Sequence, residues 1–444
     1  METISNFPYF EVEFNKQGAV HNDAQVQELL DFLAAGTVTD LLVMSHGWNN
    51  DMDEARRLYR QFFAHLRIEL TNNCPPDLGP RAFAVCGILW PSKKFADDDL
   101  IASGAASLGD LPDEDAEIRQ QLDALKAVFA DPAAETVLEQ ARSLVPLLET
   151  DLNAAHTFTD LIRSLPNLQA LHSEDAADLF FTLSATTLLD LLGRPRLPLP
   201  AVATAGGAAS FDPTIGLGGT GGALDFDLFG GITAAIRNVL NYTTYYQMKE
   251  RAGIVGQRGV YQVLQTIRAQ HPGIKIHLIG HSFGGRLVTS VAKGPAGQPP
   301  VGVSSLTLLQ AAFSQNGFAE NFDGDRKGFF REVVAAHRVA GPILITHSIN
   351  DRAVGRAYPI AAMLSGDDAA AFGDSENRFG GIGRNGAQFT PEADNSTPLG
   401  ATTAVYSFSA GTLYNLNADA IITGHSDVAK GEIAHALLAA IATT

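Results

Sequence analysis

Short apolar runs alternate with helix-spaced segments along most of this chain, and that alternation restricts its fold more than any other feature. "TDLLVMSHG", "RAFAVCGILWP", "IKIHLIG", "VSSLTLLQAAF" and "GPILITHS" are brief runs closed by turn residues, the pattern of strands buried on both faces. "FEVEF" alternates apolar and polar residues and reads as an edge strand, and "TTAVYSFSA" reads as the last strand. Between them lie helical patterns: "DAQVQELLDFL", "MDEARRLYRQFFAHLRIEL" with Leu58, Phe62, Leu66 and Leu70 at helical steps, "GVYQVLQTIRAQ", "GRLVTSVAK", "FREVVAAHRVA" and the closing "DVAKGEIAHALLAAI". Strands joined by helices need crossover connections, so an α/β fold with a mostly parallel central sheet and helices on both faces is expected.

The rhythm breaks between residues 97 and 230. Helix-like stretches such as "EIRQQLDALKAVFA" and "EQARSLVPLLE" run into the glycine-rich "GLGGTGGALDFDLFGG". The expected organisation is therefore a core made of residues 1–96 and 231–444, interrupted by a mainly helical, cap-like insertion over 97–230. The segment that ends the insertion carries Leu228, Phe229, Ile232, Ile236, Val239, Leu240 and Tyr245, a spacing that predicts core packing, with the lining of an acyl pocket or a membrane-facing lid as the alternative. A second loop-rich stretch, "SGDDAAAFGDSENRFGGIGRNGAQFTPEADNSTPLG", precedes the last strand, and loops of that length in a compact domain tend to be functional or mobile.

One strand-to-helix junction carries chemistry. "GHSFG" places Ser282 after the run "IKIHLIG" and before a helix, the context in which G-x-S-x-G forms a tight turn that projects the serine hydroxyl clear of the sheet. The helix start also offers N–H groups and partial positive charge where an anion develops. A nucleophilic serine needs a base, and the base needs an orienting carboxylate. Asp351 follows the strand "GPILITHS", and His425 lies in the loop before the final helix, which gives the order Ser, Asp, His. Asp323 and Asp325 compete for the acid role from an earlier loop. His347 and His435 compete for the base, but one sits at a strand end and the other inside a helix. The N–H of Phe283, next after the nucleophile, and that of Trp48 in "SHGWNN" are the expected oxyanion-hole donors, with Asn49 the weaker choice for the second. The "HGWNND" stretch also suits a plain turn with Asn50 or Asp51 capping the next helix.

With its "HGW" loop and "GHSFG" elbow, the chain resembles the α/β-hydrolase superfamily, and within it poorly characterised bacterial serine esterases. "YYQMKERAGIVGQRGV", "THSINDRAVGRAYP" and "NADAIITGHSDV" add to the likeness, which covers residues 38–95 and 240–444. The resemblance implies that Ser282, Asp351 and His425 are nucleophile, acid and base of an esterase that needs neither metal nor organic cofactor. An amidase, thioesterase or acyltransferase with the same residues, or an inactive member acting as a binding module, are the alternatives.

Other signals narrow the class. Lys and Arg total 31 against 49 Asp and Glu, for a formal charge of −18, which disfavours nucleic acid and anionic membranes as partners. The expected partner is a small or lipid-like ester. Gly216, Gly218 and Gly221 fit G-x-G-x-x-G, but a proline-containing loop precedes them rather than a strand, so a flexible loop is expected there and no dinucleotide. Asp97, Asp98 and Asp99 lack the spacing of a calcium loop. Two cysteines, Cys74 and Cys86, permit one disulfide, although Cys86 reads as a core thiol. "METISNFPYFEVEF" has no basic region before an apolar one, and no membrane span is found, so the expected location is the cytoplasm.

Overall fold

Among the described residues, nine strands make one sheet, in the order β1-β2-β4-β3-β5-β6-β7-β9-β8. The computed structural model describes residues 2–72, 80–92, 114–166, 175–193, 231–355 and 380–444, together with positions 75, 78 and 168. The strands are β1 (Glu2–Ile4), β2 (Phe7–Glu13), β3 (Asp40–Ser45), β4 (Phe83–Leu89), β5 (Lys275–His281), β6 (Ser305–Leu309), β7 (Ile343–His347), β8 (Ala393–Asp394) and β9 (Leu413–Asn417). Among these strands only the β1–β2 pair is antiparallel; every other neighbouring pair is parallel. Register aligns the carboxyl ends, with Ser45 opposite Gly280, His281 opposite Leu309, and His347 opposite Asn417.

Period-2 alternation in the strands divides the core into two halves. Leu41, Val43 and Leu278 point to one face, where α1 (Asp23–Leu33) and the helices after β4 pack. Leu42, Met44 and Ile279 point to the other, covered by α2 (Met52–Thr71) and the terminal helix Gly431–Ala442. Each fully buried Leu or Ile contributes about 1.5–3 kcal/mol of transfer free energy. Helix α2 starts with a capping box, in which the Asp51 side chain accepts from the Glu54 N–H and Glu54 accepts from the Asp51 N–H.

Between β4 and β5 the described chain is helical: α3 (Glu114–Phe129), α4 (Pro132–Leu144), α5 (Leu152–Arg163), α6 (Asp175–Thr182), α7 (Ala185–Leu192) and the long α8 (Ile232–Ile254). Asn22, Asp131, Asp151 and Ser184 cap α1, α4, α5 and α7 with their side-chain oxygens. Ile236, Val239, Leu240 and Tyr245 of α8 are buried in the core. A π-helical stretch (Val255–Val260) joins α8 to α9 (Tyr261–Gln270). Close approach requires glycine within it: a Cβ on Gly256 would stand 2.1 Å from the Leu287 carbonyl oxygen. Helices α10 (Phe283–Lys293), α11 (Arg331–Ala335), α12 (Arg352–Gly355), α13 (Ile382–Asn385) and α14 (Gly431–Ala442) follow among the described residues.

Several expectations are corrected. The strand at "FEVEF" starts earlier, spanning Phe7–Glu13, and is not at the edge, because a two-residue turn with positive φ at Ser5 and Asn6 folds β1 onto it. "TTAVYSFSA" forms no strand; the strand is "LYNLN", residues 413–417. The helix expected over "FREVVAAHRVA" stops at Ala335, just before His337 at φ +49°. Cys86 is a free, buried thiol, and burial pushes its pKa up to about 12. Cys74, the 97–99 aspartates and the Gly216–Gly221 stretch lie outside the described residues. Among the described residues no helix is long and apolar enough to cross a membrane.

Candidate active site

The carboxyl ends of β3, β5, β6, β7 and β9 converge on Ser282. This residue sits between β5 and α10 at φ +56°, ψ −124°, a region that costs an ordinary side chain about 1–3 kcal/mol. Its backbone is pinned from both sides: the Ser282 N–H donates to Leu309 (3.1 Å), and its carbonyl accepts from Ala312 (3.0 Å) and Gly285 (2.9 Å). The flanking glycines are needed for close approach. A Cβ on Gly280 would lie 2.4 Å from the Gly284 carbonyl oxygen, and one on Gly284 would lie 2.3 Å from that of Ser45. The turn is thus packed against the end of β3 with no room for a side chain at either glycine.

Ser282 meets His425 and Asp351 in a hydrogen-bonded chain. The Ser282 hydroxyl is 2.8 Å from His425 Nε2, and His425 Nδ1 is 2.8 Å from Asp351 Oδ2. A carboxylate only accepts, so Nδ1 carries the proton and Nε2 is the acceptor facing the serine. Asp351 is fully buried, whereas Ser282 and His425 keep 7% and 8% of their surface, so the chain runs from the interior outward. Asp351 Oδ1 accepts from the Val354 N–H (2.9 Å) and Oδ2 also accepts from Gln310 Nε2 (3.2 Å), whose amide donates to the Gly383 carbonyl as well. The loops that carry Asp351 and His425 are stitched together: Asn350 Nδ2 donates to the carbonyls of Asp419 and Ile422, and the Ile349 N–H donates to Asp419.

The loop after β3 passes directly beside the serine. A Cβ on Gly47 would fall 2.7 Å from Ser282 Cβ. His46 organises this loop from within. Its ring stacks on Trp90 (5.5 Å between centroids, 16° between planes), Nδ1–H donates to the Gly47 carbonyl at 2.9 Å, and Nε2 accepts from the Trp90 N–H at 3.3 Å. That tautomer is neutral, and burial pushes the His46 pKa down to about 4. The Asn49 N–H is committed to the Ser92 carbonyl (3.0 Å), which removes it from consideration as an anion donor. Trp48 stacks on Phe283 at 5.8 Å and meets Tyr245 at 5.9 Å. Phe283 opens α10, at a helix position whose N–H has no intrahelical acceptor.

The competing residues lie elsewhere. Asp323 and Asp325 are exposed. His435, within α14, donates its Nε2–H to the Ala404 carbonyl (2.7 Å), and His347 Nδ1 faces the Arg384 carbonyl. Serine, histidine and aspartate do meet a second time. Ser305 Oγ is 2.8 Å from His277 Nδ1, and His277 Nε2 is 2.9 Å from Asp40 Oδ1. All three are fully buried, however, and Arg81 pairs with Asp40 at 2.6 Å near the amino ends of the strands. That cluster is a sealed structural network. Burial lowers the His277 pKa; it would raise that of Asp40, but hydrogen bonds from His277 and Thr39 and the nearby Arg81 leave it below its ordinary value.

Gln310 and His281 are contacts of the site that residue patterns did not single out. A glutamine at a strand end carries no sequence signal of its own, and its φ of +45° emerges only in three dimensions. Among the described residues no group of three or more His, Cys, Asp or Glu is arranged to hold a metal ion. Comparisons with protein-family models, with curated proteins and with solved structures gave no match.

Proposed function

We propose that this chain is a serine hydrolase of the α/β-hydrolase fold that cleaves carboxylic esters through an acyl-enzyme. The observation that carries the proposal is the Ser282–His425–Asp351 chain, with both links at 2.8 Å, mounted on a positive-φ turn at the carboxyl edge of the sheet. His425 takes the hydroxyl proton as Ser282 Oγ attacks the ester carbonyl carbon. Asp351 orients the imidazole and stabilises the imidazolium that forms. The tetrahedral oxyanion rests on the backbone N–H groups of Phe283 and Trp48, each worth about 3 kcal/mol in the transition state. The alcohol leaves with the proton from His425, and a water deprotonated by His425 then releases the acid and restores Ser282.

The cap role of the 97–230 segment belongs to the same proposal. Ring contacts support it: Phe180 meets Tyr246 at 5.2 Å, Tyr246 meets Tyr245 at 5.4 Å, and Tyr245 meets Phe283 at 5.1 Å. This series of buried aromatic rings leads from α6 to the residue beside the nucleophile and ties the segment to the edge of the site. The test is turnover of matched ester, thioester and amide substrates by the wild-type chain and Ser282→Ala. The proposal expects ester hydrolysis that disappears in Ser282→Ala. Undiminished hydrolysis in that variant, or amide cleavage faster than ester cleavage, contradicts it.

A further inference from the structure

The side chain of His281, immediately before Ser282, reaches the backbone of His425. Its side chain shares strand parity with Ile279, which points to the face covered by α2 and α14. The loop that carries His425 enters α14 on that face, so the ring of His281 lies against it, with centroids 4.9 Å apart. His281 Nε2 is 2.9 Å from the carbonyl oxygen of His425. A carbonyl only accepts, which assigns the Nε2–H tautomer. The nucleophile turn and the base loop, 144 residues apart in sequence, are therefore joined by this bond in addition to the Ser282–His425 bond.

The other ring nitrogen shows what the position is built for. His281 Nδ1 is buried and meets no hydrogen-bond donor among the described residues. A buried unsatisfied acceptor costs stability, and a plain apolar ring would fill the same space without that cost. The donor at Nε2 is what distinguishes histidine from such a ring. We propose that His281 is a positioning residue, whose Nε2–H holds the His425 carbonyl and so sets the imidazole at hydrogen-bonding distance from Ser282. This inference rests on the serine-hydrolase reading. Burial, aided by the neighbouring His425, pushes the His281 pKa down to about 3, so the ring stays neutral beside the imidazolium that catalysis forms.

The test compares wild type, His281→Gln, His281→Phe and His281→Met with p-nitrophenyl butyrate, alongside fluorophosphonate labelling rates. Gln carries an N–H donor at the same reach as Nε2; Phe and Met fill the space without one. The expected result is a kcat lower by about 10- to 100-fold in Phe and Met, KM within about twofold, and kcat largely restored in Gln. Thermal unfolding confirms that each variant is folded, and Met serves if Phe is not accommodated. A wild-type kcat in Phe or Met, a Gln variant as slow as both, or a loss confined to KM overturns the positioning role alone. A wild-type chain that fluorophosphonate does not label at Ser282 removes the hydrolase reading and this inference with it.

Discussion

Replacing Ser282 by glycine and by alanine separates the strain of the turn from its chemistry. Both variants lose the hydroxyl and the bond to His425, a common cost of about 1 kcal/mol. Neither loses a helix cap, because Ser282 makes no side-chain capping bond. The two differ in what a Cβ costs at φ +56°, ψ −124°. Taking the strain as about 2 kcal/mol, glycine relieves it while alanine keeps it. Glycine gives back about 0.7 kcal/mol through the greater freedom of its unfolded chain, and a few tenths through the packing of the missing Cβ against Gly47. The Ser282→Gly variant is thus expected to be level with Ser282→Ala or more stable by up to about 1 kcal/mol, the reverse of the usual preference for alanine. Urea unfolding followed by circular dichroism, at matched slopes, reads the difference as a midpoint shift. An alanine variant more stable than the glycine variant by about 1 kcal/mol or more, as at an unstrained position, would refute the argument that the turn is strained.

Two further expectations concern the proposed acid, Asp351, and the buried histidines. Asp351→Asn should slow ester turnover by orders of magnitude, because an amide facing Nδ1 favours the wrong tautomer, while Asp323→Asn and Asp325→Asn should leave it within about twofold; initial rates for the three decide it, and the reverse ranking reassigns the acid. Stability should fall as pH drops below about 6.5, since the unfolded chain then protonates its histidines while His46 and His281, held neutral by burial down to about 4 and about 3, do not. For His46 alone the loss reaches about 3 kcal/mol by pH 4, and urea midpoints at pH 7 and pH 5 that are equal or rise toward acid would contradict it.

Much of the sheet was legible because parallel strands buried on both faces leave unbroken apolar runs, as in "DLLVMS" and "KIHLIGH", which became β3 and β5. The last strand was not legible for two physical reasons. "LYNLN" contains Asn415, a buried side chain that bonds to Ala387 and Asn395 and interrupts the apolar signal. "TTAVYSFSA" has strong strand propensity, yet its aromatics are used for stacking: Tyr406 on Phe408 at 4.8 Å, Phe408 against Tyr414 at 4.7 Å, and Tyr406 against His435 of α14. Propensity measures fit to a half-buried surface, and helix packing offers that surface as well as a ladder does. At the site, chain order and turn context singled out the three residues that the structure joins by hydrogen bonds. What surrounds them, Gln310 on Asp351 and His281 on the His425 loop, depends on register between β5, β6 and β7, which no local pattern encodes.

The central claim is that Ser282 is an activated nucleophile. Fluorophosphonate labelling of the purified chain, with the modified peptide identified by mass spectrometry, tests it most directly. The account predicts a single stoichiometric adduct on Ser282, absent from Ser282→Ala and strongly slowed in His425→Ala. A folded, monodisperse chain that forms no adduct, or forms it at another residue, would contradict it.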